Sequence, residues 1–222
     1  MNLSIFGNTA ITIFALIAAP AAHATTVTFD ALPDYGTAID DYINTGGFTP
    51  YVENGVTVTP TDGLLAWYSA PGFAHMDDSG TDFASGLLFN MATAFDAVSF
   101  SLISLGYNFF GEHGPLGETI NVTGFAGGSA IAFADFMMSG DYLDSQSFTL
   151  GSGFSALDAL LIEIVYPANA PYCDAPCGHF DLDSVVLAPI VPAVPLPSSM
   201  AMLGAAGLAL FGLRKRRRRI SA

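Results

Sequence analysis

The sequence predicts an all-β protein, an antiparallel β-sandwich (jelly roll), with an N-terminal signal peptide and a C-terminal transmembrane sorting helix. Many short apolar/polar alternations are separated by Gly, Pro, Asn, Asp and Ser, a pattern typical of sandwiches and barrels. The chain opens on an apolar segment that ends in small residues, and it closes on an apolar run followed by a basic cluster. From these patterns we expect a signal peptide at 1–24, a β-sandwich domain at 25–188, a Pro-rich linker with a Pro-x-Pro motif at 189–197, a transmembrane helix at 198–213 and a basic cytoplasmic tail at 214–222.

The signal peptide is predicted from an apolar stretch at 11–19 and the small-x-small pattern Ala22-His23-Ala24. Cleavage between Ala24 and Thr25 would leave a mature chain that starts at Thr25. An uncleaved membrane helix is the alternative, but the apolar stretch is short and Pro20 interrupts it.

Strand signals recur through the domain, whereas helix signals are weak. Val56 and Val58 alternate with threonines directly after the turn pair Asn54-Gly55. An alternative for 158–164 is a helical turn, because short apolar runs are ambiguous. The other candidate strands are 26–30, 64–68, 87–89, 97–103, 119–125, 130–136, 147–150, 160–166 and 180–187.

Charge is divided sharply along the chain. All 6 Lys and Arg residues lie at 214–219, and all 20 Asp and Glu residues lie between Asp30 and Asp183. Because positive flanks of apolar segments stay on the cytoplasmic side, the acidic body is expected across the membrane. Without Lys or Arg, the domain also lacks the usual phosphate-binding groups, so we expect no nucleic-acid partner.

The apolar run before the basic cluster is short for a permanent membrane span. Ser198 to Leu213 is 16 residues without a charge, about 24 Å of helix against about 30 Å of hydrocarbon. Two interpretations stay open: an ordinary membrane anchor, or a tail that is held in the membrane briefly and then removed.

The arrangement of a Pro-x-Pro motif, a Gly/Ala/Leu-rich span and an Arg cluster resembles the PEP-CTERM sorting signal. The motif Val194-Pro195-Leu196-Pro197 is similar to its Val-Pro-Leu-Pro-Ala subclass (VPLPA-CTERM), with Leu196 in place of the Glu of the parent motif and Ser198 in place of Ala. The resemblance implies a Gram-negative bacterium and processing by an exosortase-type membrane enzyme. The protein would reside briefly in the inner membrane, then in the cell envelope or the extracellular matrix, where such proteins are associated with exopolysaccharide and biofilm. The β-patterned domain also resembles the jelly-roll, carbohydrate-binding-module-like domains found in these proteins.

Cys173 and Cys177 are the two cysteines of the chain. A close cysteine pair in an exported protein predicts a disulfide, which here would close the loop before the last strand. The alternative is a metal site that adds His179, but structural zinc takes four ligands.

Acidic residues near the two ends of the domain predict a calcium site. Asp181 and Asp183 are two apart on a predicted strand, so both carboxylates should leave the same face. Calcium prefers such oxygen ligands, and jelly-roll modules of the resembled kind hold a structural calcium between first and last strands, which would pair Asp30 with Asp183. The alternative is a solvated acidic surface.

Trp67 and Tyr68 are candidates for an aromatic platform that holds a sugar ring, although a lone Trp in a β-sandwich is more often part of the core. Catalytic signals are weak. Glu112, His113 and Glu118 cluster in a Gly/Pro-rich loop, and the sequence contains neither a Gly-x-Ser-x-Gly nor a His-Glu-x-x-His motif. We therefore expect a non-enzymatic matrix protein. The alternatives are a calcium-dependent carbohydrate-binding module and a secreted glycan-active hydrolase.

Overall fold

The structure is a computed structural model, and it describes residues 23–45, 50–68, 70–77, 83–105, 119–139, 143–165 and 179–190. Most of the predicted signal peptide, the sorting motif at 194–197, the predicted membrane helix at 198–213 and both cysteines lie outside these ranges. Within the described ranges, no helix combines the length and the apolarity needed to cross a membrane.

The described residues form ten strands and one helix within a unit that spans Ala22–Val191. Neighbouring strands pair antiparallel throughout. The all-β prediction is confirmed, and the sandwich and jelly roll stay predictions. The elements are β1 Thr25–Val27, α1 Tyr35–Thr45, β2 Tyr51–Glu53, β3 Val56–Pro60, β4 Ala74–Asp77, β5 Gly86–Ser104, β6 Thr119–Ala126, β7 Ser129–Met137, β8 Asp144–Thr149, β9 Leu157–Val165 and β10 His179–Pro189.

The longest strand, β5, has different neighbours along its two halves. Its first part pairs with β3 and β9, and its second part pairs with β10 and β8. The register with β9 breaks between Asn90 and Phe95, where Ala92 and Thr93 are exposed. The strand therefore passes from the group β2-β3-β5-β9-β6-β7 into a second group in which β10 lies between β5 and the short strands β1 and β4.

The buried side chains of both groups belong to one hydrophobic core cluster. Strand alternation produces it: in β3 the residues Val56 and Val58 are buried, while Thr57 and Thr59 are only partly buried. Large aromatic side chains lie within the cluster, and each contributes about 1.5–3 kcal/mol when fully buried. The fully buried phenylalanines are Phe29, Phe89, Phe95, Phe100 and Phe180.

The two chain ends of the domain lie at the same end of the strands. Thr25 is the register partner of Leu187, and the Ile190 amide donates to the Ala94 carbonyl at 2.8 Å, next to the point where β5 changes neighbours. At the opposite end lie the strand ends that flank 78–82, 106–118, 140–142 and 166–178. The chain therefore enters and leaves the domain at the same end of its strands.

Helix α1 is not expected from the sequence patterns above. The Asp34 carboxylate accepts a hydrogen bond from the Thr37 amide at 2.7 Å, which satisfies a donor that the helix itself leaves unpaired. Asp34 directly before Tyr35 is an N-cap residue type that sequence reasoning could have used.

Several strand predictions need correction. Residues 64–68 form no strand; Leu64 and Trp67 make isolated bridges to Phe83 and Asp34. The candidates 87–89 and 97–103 are parts of the single strand β5, and 158–164 lies within β9 rather than a helical turn. Strands β2 and β4 are absent from the predicted set.

Candidate functional site

Four aromatic rings, from Tyr35, Tyr68, His75 and Phe83, pack against one another near the start of β4, and we call them the aromatic cluster. The His75 and Phe83 ring centroids are 4.5 Å apart, and those of Tyr35 and Phe83 are 4.8 Å apart. Tyr68 lies 5.5 Å from His75 and 5.7 Å from Phe83. Edge-on and tilted pairs at such distances are favourable aromatic geometries.

His75, one of these four residues, also belongs to a buried polar pair. His75 Nδ1 is 2.7 Å from Asp181 Oδ1, and both side chains are buried. The contact is set by strand register, because His75 on β4 is the cross-strand partner of Asp181 on β10. A buried carboxylate is tolerated when it is paired and hydrogen-bonded. His75 supplies this partner.

Backbone hydrogen bonds fix the segment that carries Tyr68. The Trp67 amide donates to the Pro33 carbonyl at 3.1 Å, and the Tyr35 amide donates to the Trp67 carbonyl at 3.0 Å. These reciprocal bonds join the segment to the first turn of α1. Tyr35 is thereby placed with its ring 6.2 Å from that of Tyr68.

The loop at 61–64 places Phe83 within the aromatic cluster. The Asp62 carboxylate accepts hydrogen bonds from the Ser85 amide at 2.7 Å and the Ser85 hydroxyl at 2.6 Å. Gly63 has φ +53°, and a Cβ there would lie 2.0 Å from the Phe83 carbonyl oxygen. Glycine is therefore required at position 63 both by its backbone conformation and by this close approach.

Trp67 and Tyr68, the two predicted sugar-binding residues, have different surroundings. Trp67 is partly buried and packs against the core, whereas Tyr68 is 59% exposed. An exposed tyrosine offers an apolar ring face and a hydroxyl that can hydrogen-bond. The arrangement therefore presents Tyr68 on a base formed by three other rings.

The three carboxylates predicted for calcium have separate partners. Asp181 binds His75, the Ser101 hydroxyl donates to Asp183 at 2.6 Å, and the Thr28 hydroxyl lies 2.8 Å from Asp30. Asp183 lies at a bulge in β10, between the register positions of Leu182 and Ser184. Asp181 is buried, which disfavours the alternative of a solvated acidic surface at this residue.

These carboxylates do not form one donor set for a metal. Among the described residues, no group of three or more His, Cys, Asp or Glu side chains could hold a metal ion. Calcium takes six to eight oxygen ligands, so the described geometry does not fit a calcium site, and calcium binding stays a prediction. The predicted disulfide Cys173–Cys177 and the acidic loop with Glu112, His113 and Glu118 lie outside the described residues.

Sequence reasoning missed a second polar contact, which is centred on Glu53. Its carboxylate accepts hydrogen bonds from the Thr28 amide, the Phe29 amide and the Tyr51 hydroxyl, at 2.9–3.0 Å. The Thr28 hydroxyl lies 2.8 Å from both Glu53 and Asp30, and having one proton it donates to one of them at a time. These bonds hold Phe29 at φ 60°, where β1 ends.

The contact changes the acidity of both ionisable partners. Burial raises the pKa of Glu53, but the hydrogen bonds from Thr28, Phe29 and Tyr51 outweigh it, so the pKa is lowered from the usual value of 4.5. Burial and the hydrogen bond to Glu53 raise the pKa of Tyr51 to about 12. Both groups are therefore held in their neutral-pH protonation states.

Comparison with known proteins identifies a sorting signal at the end of the chain. Residues 193–218 match the PEP-CTERM protein-sorting motif, and no curated protein matches the chain. A crystal structure of a Paenibacillus sp. cycloisomaltooligosaccharide glucanotransferase complexed with cycloisomaltoheptaose is similar at 12% identity and a TM-score of 0.26, over 72% of this chain and 18% of that chain. At that TM-score the likeness carries no argument. The predicted PEP-CTERM signal is confirmed, and the Val-Pro-Leu-Pro-Ala subclass stays a prediction. The chain carries the sorting signal of an exported protein that an exosortase-type membrane enzyme processes.

Proposed function

We propose that the protein is a non-enzymatic component of the cell envelope or extracellular matrix, released from the inner membrane of a Gram-negative bacterium by removal of its tail. The observation that supports this is the sorting motif at 193–218, which follows the domain directly. The association with exopolysaccharide and biofilm is part of the same proposal. An acidic domain without Lys or Arg suits a hydrated matrix, because like charge keeps separate copies soluble.

Mass spectrometry of the two ends of the native protein tests this proposal. We expect a chain that starts at Thr25 and ends near Pro197, without the basic cluster at 214–219. Replacing Pro195 and Pro197 with Ala should leave the tail attached, whereas Pro192→Ala, just outside the matched motif, should be processed normally. Recovery of intact 214–219 peptides from the wild-type extracellular protein would reject the proposal.

A second candidate function is carbohydrate binding, and the exposure of Tyr68 favours it. The ring stands on Tyr35, His75 and Phe83 and leaves 59% of the residue accessible. A sugar could stack on this ring while its hydroxyls bond to neighbouring polar groups. We place this activity beside the matrix role, since a matrix protein that binds glycan would be retained in the matrix.

Binding to purified exopolysaccharide from the producing cells tests the second candidate. Tyr68→Ala should raise the Kd at least about tenfold, the effect of losing about 1.4 kcal/mol. Tyr42→Ala is the matched control, because Tyr42 is an exposed tyrosine on α1 and not in the aromatic cluster. Equal binding by both variants would exclude Tyr68 as the contact.

The calcium-dependent form of this candidate makes a separate prediction. A calcium ion bound near Asp30 and Asp183 would raise the free energy of unfolding by about 2.7 kcal/mol at a hundredfold excess over Kd. The comparison must use sodium chloride at equal ionic strength, because salt screening alone relieves repulsion among carboxylates. Equal shifts of Tm in the two salts would reject calcium binding, and so would a calcium-specific shift that persists in Asp183→Asn.

A further inference from the structure

Strand β7 forms one edge of the sheet and exposes large apolar side chains. It pairs with β6 along Ser129–Met137, and β6 is its one partner among the described strands. Ile131 is 52% exposed, Phe133 70% and Met137 73%. Residues at odd positions share one face of the strand, so these three side chains form a stripe, which we call the β7 stripe.

From Ala132 to Met137 the edge lacks the features that normally prevent strand pairing. An edge strand presents unpaired N–H and C=O groups, and natural proteins protect it with Lys, Pro, bulges or charged inward-facing residues. β7 contains neither Lys nor Pro, and its one charged residue is Asp135. Its register with β6 skips Ile131, so this residue forms a bulge near the Ser129 end, and the pairing is regular from Ala132 to Met137. The remaining edge can accept another strand.

Charge restricts the partner that could cover this edge. The domain contains 20 carboxylates and no Lys or Arg, so two copies repel each other over most surfaces. β6 has no charged residue, and β7 has one. A cationic partner would find few carboxylates here. Two copies of this chain could approach closely here with little repulsion.

We propose that β7 pairs antiparallel with β7 of a second copy, which extends the sheet across a two-fold axis centred on Phe133. A two-fold interface brings the same patch of both copies together. With Phe133 at the centre, each Phe133 faces its equivalent and each Asp135 faces Ile131 of the other copy. A centre at Asp135 would place two carboxylates opposite each other, which is destabilising.

The pairing also determines how the two domains point. Antiparallel edge pairing places the Ser129 end of one copy beside the Met137 end of the other. The chain leaves each domain at the end that holds Ser129 and Ile190, so the two exits point in opposite directions. Two copies tethered side by side on one membrane would therefore not pair in this way. Only this conclusion rests on the proposed processing.

Cysteine cross-linking of the exported protein tests the pairing and its register. In Phe133→Cys the two introduced thiols face each other across the axis at about 4.5–5.5 Å between Cβ atoms, close enough for a disulfide after small adjustment. Mild oxidation should produce a dimer linked through position 133 of both copies, identified by peptide mass spectrometry. Mixing Ile131→Cys with Asp135→Cys should produce a 131–135 heterodimer in larger amount than either homodimer.

The matched control is Val52→Cys, a 65% exposed residue on β2 at another edge. It should form at least about tenfold less dimer than Phe133→Cys. Sedimentation of the processed protein should show a dimer that Ile131→Asp dissociates, because the new carboxylate would face Asp135 of the other copy, and that Val52→Asp leaves intact. Cross-linking of Phe133→Cys no faster than Val52→Cys, or a monomer at all concentrations tested up to about 100 μM, would overturn the proposal, as would a different cross-linking register.

Discussion

Asp181 and Glu53 are both removed from bulk water, but their carboxylates are held by different kinds of partner. Asp181 is buried and binds the His75 side chain, 106 residues away. Glu53 is partly buried and accepts bonds from two backbone amides as well as from hydroxyls. The Asp181 contact joins two side chains, whereas half of the hydrogen bonds to Glu53 come from backbone amides.

The difference decides what each carboxylate stabilises. Removing Asp181 leaves a buried imidazole without this partner, and water reaches that position poorly because Tyr68 and Phe83 cover the ring. Removing Glu53 leaves amides at a partly exposed position, where water can replace the carboxylate. Replacement of Asp181 should therefore destabilise the fold more than replacement of Glu53.

The largest effect is expected for Asp181→Ala. It should lower the free energy of unfolding by about 3 kcal/mol, because a hydrogen bond to a charged group is lost and the buried His75 nitrogen loses this partner, as measured by urea denaturation at pH 7. Asp183→Ala, two residues along β10 and bonded to Ser101, is the matched control and should cost about 1 kcal/mol. The double variant His75→Phe/Asp181→Leu should cost less than the two single changes together. Additive effects would show that the two groups do not interact.

Gly63→Ala tests whether the loop at 61–64 supports the buried pair through Phe83. Gly63 and Gly127 both have positive φ, +53° and +57°, but an added Cβ contacts nothing within 4 Å at Gly127. Gly127→Ala should therefore cost about 1 kcal/mol for backbone strain alone, and Gly63→Ala at least about 1–2 kcal/mol more, by the same denaturation assay. Gly63→Ala should also shift the His75 imidazole NMR signals, since the Phe83 ring must move. If the two variants lose equal free energy of unfolding, the close approach of Phe83 is not the reason for glycine at position 63.

These contacts separate what the sequence could predict from what it could not. Alternation at Val56–Val58 and at 119–125 identifies real strands, because a strand with one buried face has an apolar residue at every second position. The pairing of His75 with Asp181 depends on the register of β4 against β10, and no local pattern encodes it. The sequence alone therefore favours calcium as the partner of Asp181, because it does not reveal the imidazole across the sheet.

The sequence pattern does not predict the path of β5, for a different reason. Asn90 and Asp96 interrupt the apolar pattern, so the pattern predicts two strands. In the structure the strand stays continuous between these two half-buried residues and changes neighbours there, where Ala92 and Thr93 are exposed. Tyr68 is a candidate from its residue type, whereas its supporting rings come from α1, β4 and Phe83.

A smaller effect is expected for Glu53→Ala, about 2 kcal/mol, because hydrogen bonds to a charged acceptor are lost where water can replace part of them. Glu53→Gln keeps one acceptor oxygen and should cost less. Equilibrium urea denaturation measures both. A cost for Glu53→Ala as large as that for Asp181→Ala would contradict the distinction between the two carboxylates.

The smallest effects concern pH. Because the folded pKa of Glu53 is below 4.5, its stabilisation is complete above the unfolded pKa and is lost as pH falls through the folded value. The stability difference between wild type and Glu53→Gln should therefore be constant from about pH 5 to 8 and shrink toward about pH 3. At the alkaline end, the pKa of Tyr51 is raised to about 12, so its stabilisation is complete below about pH 10 and declines from about pH 10 to 12. Tyr51→Phe should lack this alkaline decline while keeping the acid one. An acid decline of equal size in Glu53→Gln and wild type would show that other carboxylates control the acid response.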